Sequence, residues 1–121
     1  MNHNLKSYKD LRVWSKGIDL VTRIYRTTQK FPKTEIYSLT QQMRRCSVSI
    51  PSNIAEGFRR FHSKEYIQFL RISLGSCAEL ETQTIIGNNL NYISDDEQAI
   101  LLEKLDHLSR MLTKLIKNIK T

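Results

Sequence analysis

The segment Phe58-Arg59-Arg60-Phe61-His62-Ser63-Lys64 sets cations beside aromatic rings. Cations of this kind seek phosphates, and exposed rings can stack on unpaired bases. The same residues admit a plainer reading, in which Phe58 and Phe61 plug the end of a helical bundle while the charges keep a loop in water. Arg23, Arg26, Lys30 and Lys33 form a second basic group, which Arg44 and Arg45 would extend if their helices lie side by side. Arg110, Lys114 and Lys117 recur at spacings of four and three, with Lys120 three further on, so they share a helix face. Cations near a helix C-terminus are also what the helix dipole favours.

Catalytic chemistry has a weaker basis. Asn53, Glu56, Glu79 and Glu81 offer acid-base groups, but no nucleophile, glycine-rich phosphate loop or metal cluster goes with them. Their structural alternative is pairing with Arg44, Arg45 or backbone groups. A di-iron site in a helical bundle needs Glu-x-x-His pairs, and none of His3, His62 or His107 has a glutamate three residues before it. Glu103 and His107 share a face as an ordinary surface pair. Cys46 and Cys77 fall on apolar stripes and read as small buried thiols of a reducing cytoplasm. No catalytic residue, metal or cofactor is expected.

A chain of 121 residues, 40% hydrophobic and 26% charged, suits one helical domain over 1–121. Met1-Asn2-His3-Asn4 is polar, and no apolar run is long enough for an export signal or a membrane span. The net charge of +7 is uneven: residues 1–64 hold thirteen Lys and Arg against four Asp and Glu, and residues 65–121 hold six against eight. An excess of cations favours polyanionic partners through counterion release.

Four amphipathic helices must position these groups, at about 11–30, 34–58, 64–92 and 95–119. In the first, Leu11, Trp14, Ile18, Val21 and Tyr25 share a face that Val13, Leu20 and Ile24 widen. Phe31-Pro32 ends it. Thr34 is placed to cap the second helix and Ser63 the third, whose apolar positions include Tyr66, Ile67, Phe69, Leu70, Leu74, Cys77, Leu80 and Ile85. Ser73, Gly75, Ser76, Cys77 and Ala78 would let a neighbour approach closely. Ser94-Asp95-Asp96-Glu97 has the capping-box pattern, and Leu101, Leu105, Leu108, Leu112, Leu115 and Ile119 then follow coiled-coil seam spacing. Nothing reads as a strand. The expected fold is all-α, an antiparallel up-down four-helix bundle, with apolar surface on the first and last helices broad enough to face another subunit.

One stretch stands out, Ser49-Ile50-Pro51-Ser52-Asn53-Ile54-Ala55-Glu56-Gly57. Ile36, Leu39, Met43, Cys46, Ile50, Ile54 and Gly57 continue at steps of three or four through Pro51, so the proline kinks the second helix rather than ending it. Proline deprives the Ser47 carbonyl of its partner, at about 3 kcal/mol in a helix interior, which packing or the Ser47 and Ser49 hydroxyls must offset. Gly57 suits a helix terminus or a close backbone approach.

Leu39-Thr40-Gln41-Gln42-Met43-Arg44-Arg45, the run from Ser49 to Gly57, Arg60, Ser63, Ser76 and Glu79-Leu80-Glu81 resemble the bacterial four-helix bundle proteins encoded in intervening sequences of 23S ribosomal RNA genes. Those are related to the accessory variability determinant of diversity-generating retroelements. The resemblance spans nearly the whole chain, from Tyr8-Lys9-Asp10-Leu11 and Trp14 to Tyr92-Ile93, and makes Pro51, Asn53, Glu56 and Gly57 structural motif residues. Ser73 replaces a commoner alanine, and Asn88-Asn89-Leu90-Asn91 is more polar than the pattern, which puts the packing at the end of the third helix in question. The resemblance implies a homopentamer.

The leading expectation is a non-enzymatic oligomer that binds RNA through Arg23, Arg26, Lys30, Arg44, Arg45, Arg59, Arg60, Lys64, Arg110, Lys114 and Lys117. The alternative is a protein adaptor, for which the retroelement relatives suggest a reverse transcriptase as partner. A helix-turn-helix DNA reader fits poorly, because the link from Gly57 to Ser63 is too long and no recognition helix is evident.

Overall fold

The computed structural model describes residues 6–120, so His3 lies outside the described residues. It consists of α1 (Arg12–Thr28), α2 (Leu39–Arg59), α3 (Ser63–Asn89) and α4 (Asp95–Asn118), with single 3-10 turns at Tyr8–Asp10 and Lys33–Glu35. Among the described residues there is no strand. Each helix packs on its chain neighbours, most extensively α2 on α3, and α1 closes on α4 through the smallest contact. Contacting residues run in opposite order along each pair. Gly17 meets Pro51 and Thr28 meets Arg44 between α1 and α2. Cys46 meets Ser76, Ile50 meets Ser73 and Gly57 meets Phe69 between α2 and α3.

Local chemistry sets the helix ends, several of them away from where the sequence places them. Lys33–Glu35 forms a 3-10 turn, and α2 starts at Leu39, not at a Thr34 cap. Its first amide donates to the Glu35 carboxylate, which also accepts from the Ser38 and Tyr92 hydroxyls. These donors, Ser38 foremost, hold the Glu35 carboxyl below its usual range. Ile36 is therefore left 52% exposed, outside the apolar stripe assigned to it. Ser63 is the first residue of α3 rather than its cap; His62 occupies the cap position without a side-chain bond. Ser94 does cap α4, accepting from the Glu97 amide at 3.1 Å.

At the end of α3, Asn91 adopts a left-handed φ of 64°. The Tyr92 amide donates to the Gly87 carbonyl at 2.9 Å and the Asn91 amide to the Asn88 carbonyl at 2.9 Å. This pair of bonds is a Schellman cap, and asparagine is the residue after glycine that takes its left-handed position most easily. Asn88 then donates from its side chain to the Ile93 carbonyl at 3.0 Å and the Asp95 carboxylate at 2.8 Å. The polar run 88–91 thus builds the α3–α4 turn.

The helix α2 continues through Pro51, which is buried. A Cβ on Gly17 would stand 3.3 Å from the Pro51 Cβ, so the bare glycine lets α1 lie directly on the proline ring. The nearby hydroxyls are engaged elsewhere: Ser47 donates to the Arg44 carbonyl at 2.8 Å, and Ser49 shares a 3.0 Å bond with Ser76. Asn53 donates to the Ser49 carbonyl at 2.8 Å, and Ser73 crosses from α3 to the Ile50 carbonyl at 2.9 Å. Packing and cross-helix bonds, rather than a hydroxyl on the orphaned carbonyl, surround the proline.

Leu101, Leu105, Leu108 and Leu112 of α4 are almost wholly buried, as their seam spacing predicts. The core face of α1 is Val13, Gly17, Leu20, Ile24 and Thr28. Trp14 and Val21 are half-buried, and Ile18 and Tyr25 are 39% and 40% exposed. Ile18 and Tyr25 are therefore turned outward, whereas Trp14 packs against the core and edge-on to Tyr8 at 5.4 Å. In α3, Gln83 and Thr84 are buried while Ile85 and Ile86 are exposed.

An ion pair spans the thin α1–α4 contact. Arg23 donates from Nε and Nη2 to the two Glu97 carboxylate oxygens at 2.8 Å each, and Thr27 adds a third donor at 2.9 Å. The Arg23 hydrogen bonds hold the Glu97 carboxyl below its ordinary range and raise the Arg23 guanidinium correspondingly.

A Cβ on Gly57 would fall 2.7 Å from the Phe69 Cβ, whereas one on Gly75 meets nothing within 4 Å. In urea unfolding, Gly57→Ala should lose about 1–3 kcal/mol by overpacking, and Gly75→Ala should gain about 0.5–1 kcal/mol from helix propensity; a stabilising Gly57→Ala would contradict the close approach. Because the Glu97 pKa is depressed on folding, its contribution is present above the ordinary carboxylate range and is lost as pH falls through the folded value. Glu97→Gln should cost about 1 kcal/mol at pH 7, discounted for the partial exposure of both groups, and the difference from wild type should vanish at low pH. A difference of equal size at both pH values would show that the charge is not what matters.

Candidate nucleic-acid interface

Arg44 meeting Thr28, Cys46 meeting Ser76, Asn88 meeting Asp95 and Glu97 meeting Arg23 place the end of α1, the start of α2, the end of α3 and the start of α4 together, which leaves the start of α1, the end of α2, the start of α3 and the end of α4 at the other end. Arg59 lies over the Tyr8 ring at 5.5 Å, and Phe58 meets Tyr66 edge-on at 6.0 Å. This end carries Lys6, Lys9, Arg12, Arg59, Arg60, Lys64, Lys117 and Lys120 against Asp10, Glu56 and Glu65. All eight cations are exposed. The opposite end carries Arg23, Arg26, Lys30, Lys33, Arg44 and Arg45 against Glu35, Glu79, Glu81, Asp95, Asp96 and Glu97, an even balance. Most of the net charge is thus concentrated by topology, although Lys6 and Lys120 stand at opposite ends of the chain.

Within the basic end, Phe58 is 4% exposed and seals the core, whereas Phe61 is 80% exposed. The two aromatic residues of the loop therefore separate into one that plugs the bundle and one that faces solvent. Arg60 lies over the Phe69 ring at 5.0 Å and reaches Glu56 at 3.3 Å across exposed surface. His62 stands 3.9 Å from Glu65.

The remaining sequence-selected cations are dispersed. Arg23 is neutralised by Glu97. Arg26 and Lys30 line an open cleft with Asn91, Tyr92 and Ser94 between the end of α1 and the α3–α4 turn. Arg44 lies on the other side of α1, over the Tyr25 ring at 4.6 Å and donating to the Thr28 hydroxyl at 2.9 Å. The helix itself separates Arg23 from Arg44, so the two do not form one patch. Arg45 is exposed beside a shallow groove lined by Gln42, Ser49, Ser76 and Glu79. Arg110 pairs with Asp106 at 3.1 Å, while Lys114 and Lys117 line a groove on the surface of α4.

The motif residues have packing partners. Asn53 bridges to Ser49, Glu56 pairs with Arg60 rather than Arg44 or Arg45, and Glu79 accepts from Gln83 at 3.2 Å. Gly57 serves close approach inside α2, not its terminus. Burial pushes the Cys46 thiol up to about 12 and the Cys77 thiol up to about 11, which leaves both protonated and unreactive near neutrality. His107 sits in a cleft between α1 and α4 with Lys16, Asp19 and Glu103. Among the described residues no three His, Cys, Asp or Glu side chains are grouped so that they could hold a metal ion, and no helix is long and apolar enough to cross a membrane.

Sequence reasoning found the 58–64 loop but missed Lys6, Lys9 and Arg12 as its neighbours. The available signal was element order: a terminal segment preceding α1 must lie beside the end of α2 in an up-down bundle.

A protein of unknown function from the S23 ribosomal protein family of Bacteroides thetaiotaomicron, solved by crystallography, shares the fold with a TM-score of 0.80 at 20% sequence identity, over 88% of this chain and 96% of that one. No curated protein matches. The family profile described as 23S rRNA-intervening sequence protein matches residues 9–114. That match takes in all of α1 to α3 and most of α4, and the chain belongs to this family.

Proposed function

We propose that this protein is a non-enzymatic, self-associating helical bundle that binds RNA through the basic end formed by Arg59, Arg60, Lys64, Lys6, Lys9, Arg12, Lys117 and Lys120. The observation that carries this reading is the charge asymmetry between the two ends of the bundle, with the excess cations exposed at one of them. Binding would proceed by phosphate neutralisation and counterion release, a sequence-independent term that weakens steeply with salt. Membership of a family named for 23S rRNA intervening sequences makes structured ribosomal RNA the first target to try. The setting would be the cytoplasm, where Cys46 and Cys77 stay reduced.

Self-association is supported by the outward stripe of Ile18, Val21 and Tyr25 on α1, together with exposed Val48 on α2, which the protomer leaves only partly covered. The family resemblance sets the expected number at five. Joining several basic ends in one assembly converts modest contacts into avidity. The same stripe also supports the second reading, an adaptor that seats a protein partner such as a reverse transcriptase; it would then remain open in the free protein.

In filter binding to 23S ribosomal RNA fragments, Arg59→Glu with Arg60→Glu should lower affinity by tenfold or more and reduce the salt slope by about 1–2, as expected for the loss of two phosphate contacts. Arg110→Glu, which lies outside the basic end, should change little. Equal effects of the two variants, or affinity indifferent to ionic strength, would contradict the reading. By light scattering, the wild type should exceed the 14.2 kDa of one chain, and Ile18→Glu should return it to that mass with helicity intact. A monomeric wild type would remove self-association and favour the adaptor.

A further inference from the structure

We infer that Phe61 is a stacking platform for an unpaired base, so that the nucleic acid taken by the basic end is single-stranded or looped rather than fully paired; this rests on the RNA-binding reading above. Phe61 stands at a left-handed φ of 55° and is 80% exposed. A bulky residue in that conformation is strained, and a large apolar ring in water gains nothing from burial. The fold does not need the ring, since Phe58 already closes the core against Tyr66 at 6.0 Å. Nor does the turn need it. At the end of α3 the same left-handed position is filled by Asn91 with φ 64°, a residue that adopts it at little penalty.

The surroundings of the ring suit a nucleotide. It stands on a short turn between two long helices, α2 ending at Arg59 and α3 starting at Ser63, so its base is held rigidly. The preceding guanidiniums are steadied by neighbouring rings, Arg59 on Tyr8 at 5.5 Å and Arg60 on Phe69 at 5.0 Å. His62 and Lys64 follow on the other side and are exposed. A base lying on Phe61 would leave its flanking phosphates within the reach of Arg59, Arg60 and Lys64. A base inside an A-form duplex is covered on both faces by its neighbours, and the deep groove excludes side chains, so a paired strand offers Phe61 nothing to stack on.

The test uses the full-length protein with two RNA probes of equal phosphate number, an unstructured uridine-rich strand and a fully paired duplex. Phe61→Ala should lower affinity for the single strand by roughly five- to hundredfold, the range of one lost base–aromatic stack, and leave duplex binding unchanged. Phe61→Gly relieves the backbone, so it should raise the melting temperature while losing the same affinity; this separates stacking from folding. Phe61→Trp should retain single-strand binding. Unchanged single-strand affinity in both Phe61→Ala and Phe61→Gly, with Arg59→Glu and Arg60→Glu still effective, would overturn the stacking role and leave the RNA reading standing. Equal losses on both probes would also overturn it, and a wild type that binds neither probe would overturn the RNA reading itself.

Discussion

The close approach of α2 and α3 is the constraint on which the rest of the molecule depends. Gly57 leaves no room for a side chain against the Phe69 Cβ, and the Ser73 hydroxyl, the Cys46 thiol and the Ser49–Ser76 pair tie the two helices along their length. Small side chains let two backbones come together, and the polar ones among them then find partners across the seam instead of remaining unsatisfied. The turn 60–62 is short because the helices it joins are already in contact. Phe61 takes a left-handed conformation in that turn, with Arg59 and Arg60 before it lying over the Tyr8 and Phe69 rings.

Charge is sorted by topology rather than by sequence. In sequence the excess belongs to the first half of the chain, yet six of its thirteen cations, Arg23, Arg26, Lys30, Lys33, Arg44 and Arg45, share an end with six acids, and Arg23 pairs directly with Glu97, one of the three acids that open α4. Those acids serve the positive end of the α4 dipole as well. Antiparallel packing gathers the unpaired cations of the start of α1, the end of α2 and the start of α3 at the opposite end, where Lys117 and Lys120 of the second half join them. A long-range field of one sign at a single end steers polyanions and orients them at the same time.

The four helices and the leucine seam of α4 were legible because hydrophobic periodicity is a direct record of burial. The Ser94 cap was legible for the same kind of reason, since a serine before three acids has one obvious use. Which stripe of α1 faces the core was not. Trp14, Ile18, Val21 and Tyr25 are as apolar as Val13, Leu20 and Ile24, and only the partner surface decides, here through Gly17 lying on Pro51. The start of α2 is later than its sequence suggests because Thr34 is a good cap in isolation, while Glu35 overrides it by accepting from the Leu39 amide; the start of α3 agrees to within one residue. Asn88 to Asn91, whose polarity in sequence puts the packing there in question, forms a Schellman turn, whose bonds are invisible until the chain reverses. At the candidate site, the loop 58–64 could be seen, but its Lys6, Lys9 and Lys120 neighbours come from distant parts of the sequence, and Phe58 and Phe61 differ because one lies on the core face of α2 and the other in the turn beyond it.

The central claim is that the end of the bundle bearing the α2–α3 turn is the nucleic-acid surface. Amide chemical-shift mapping of the protein on addition of a single-stranded RNA tests it most directly. Perturbations should cluster at residues 58–66, 8–12 and 117–120. A cluster around Arg26, Lys30 and the α3–α4 turn, or no perturbation at saturating RNA, would contradict it.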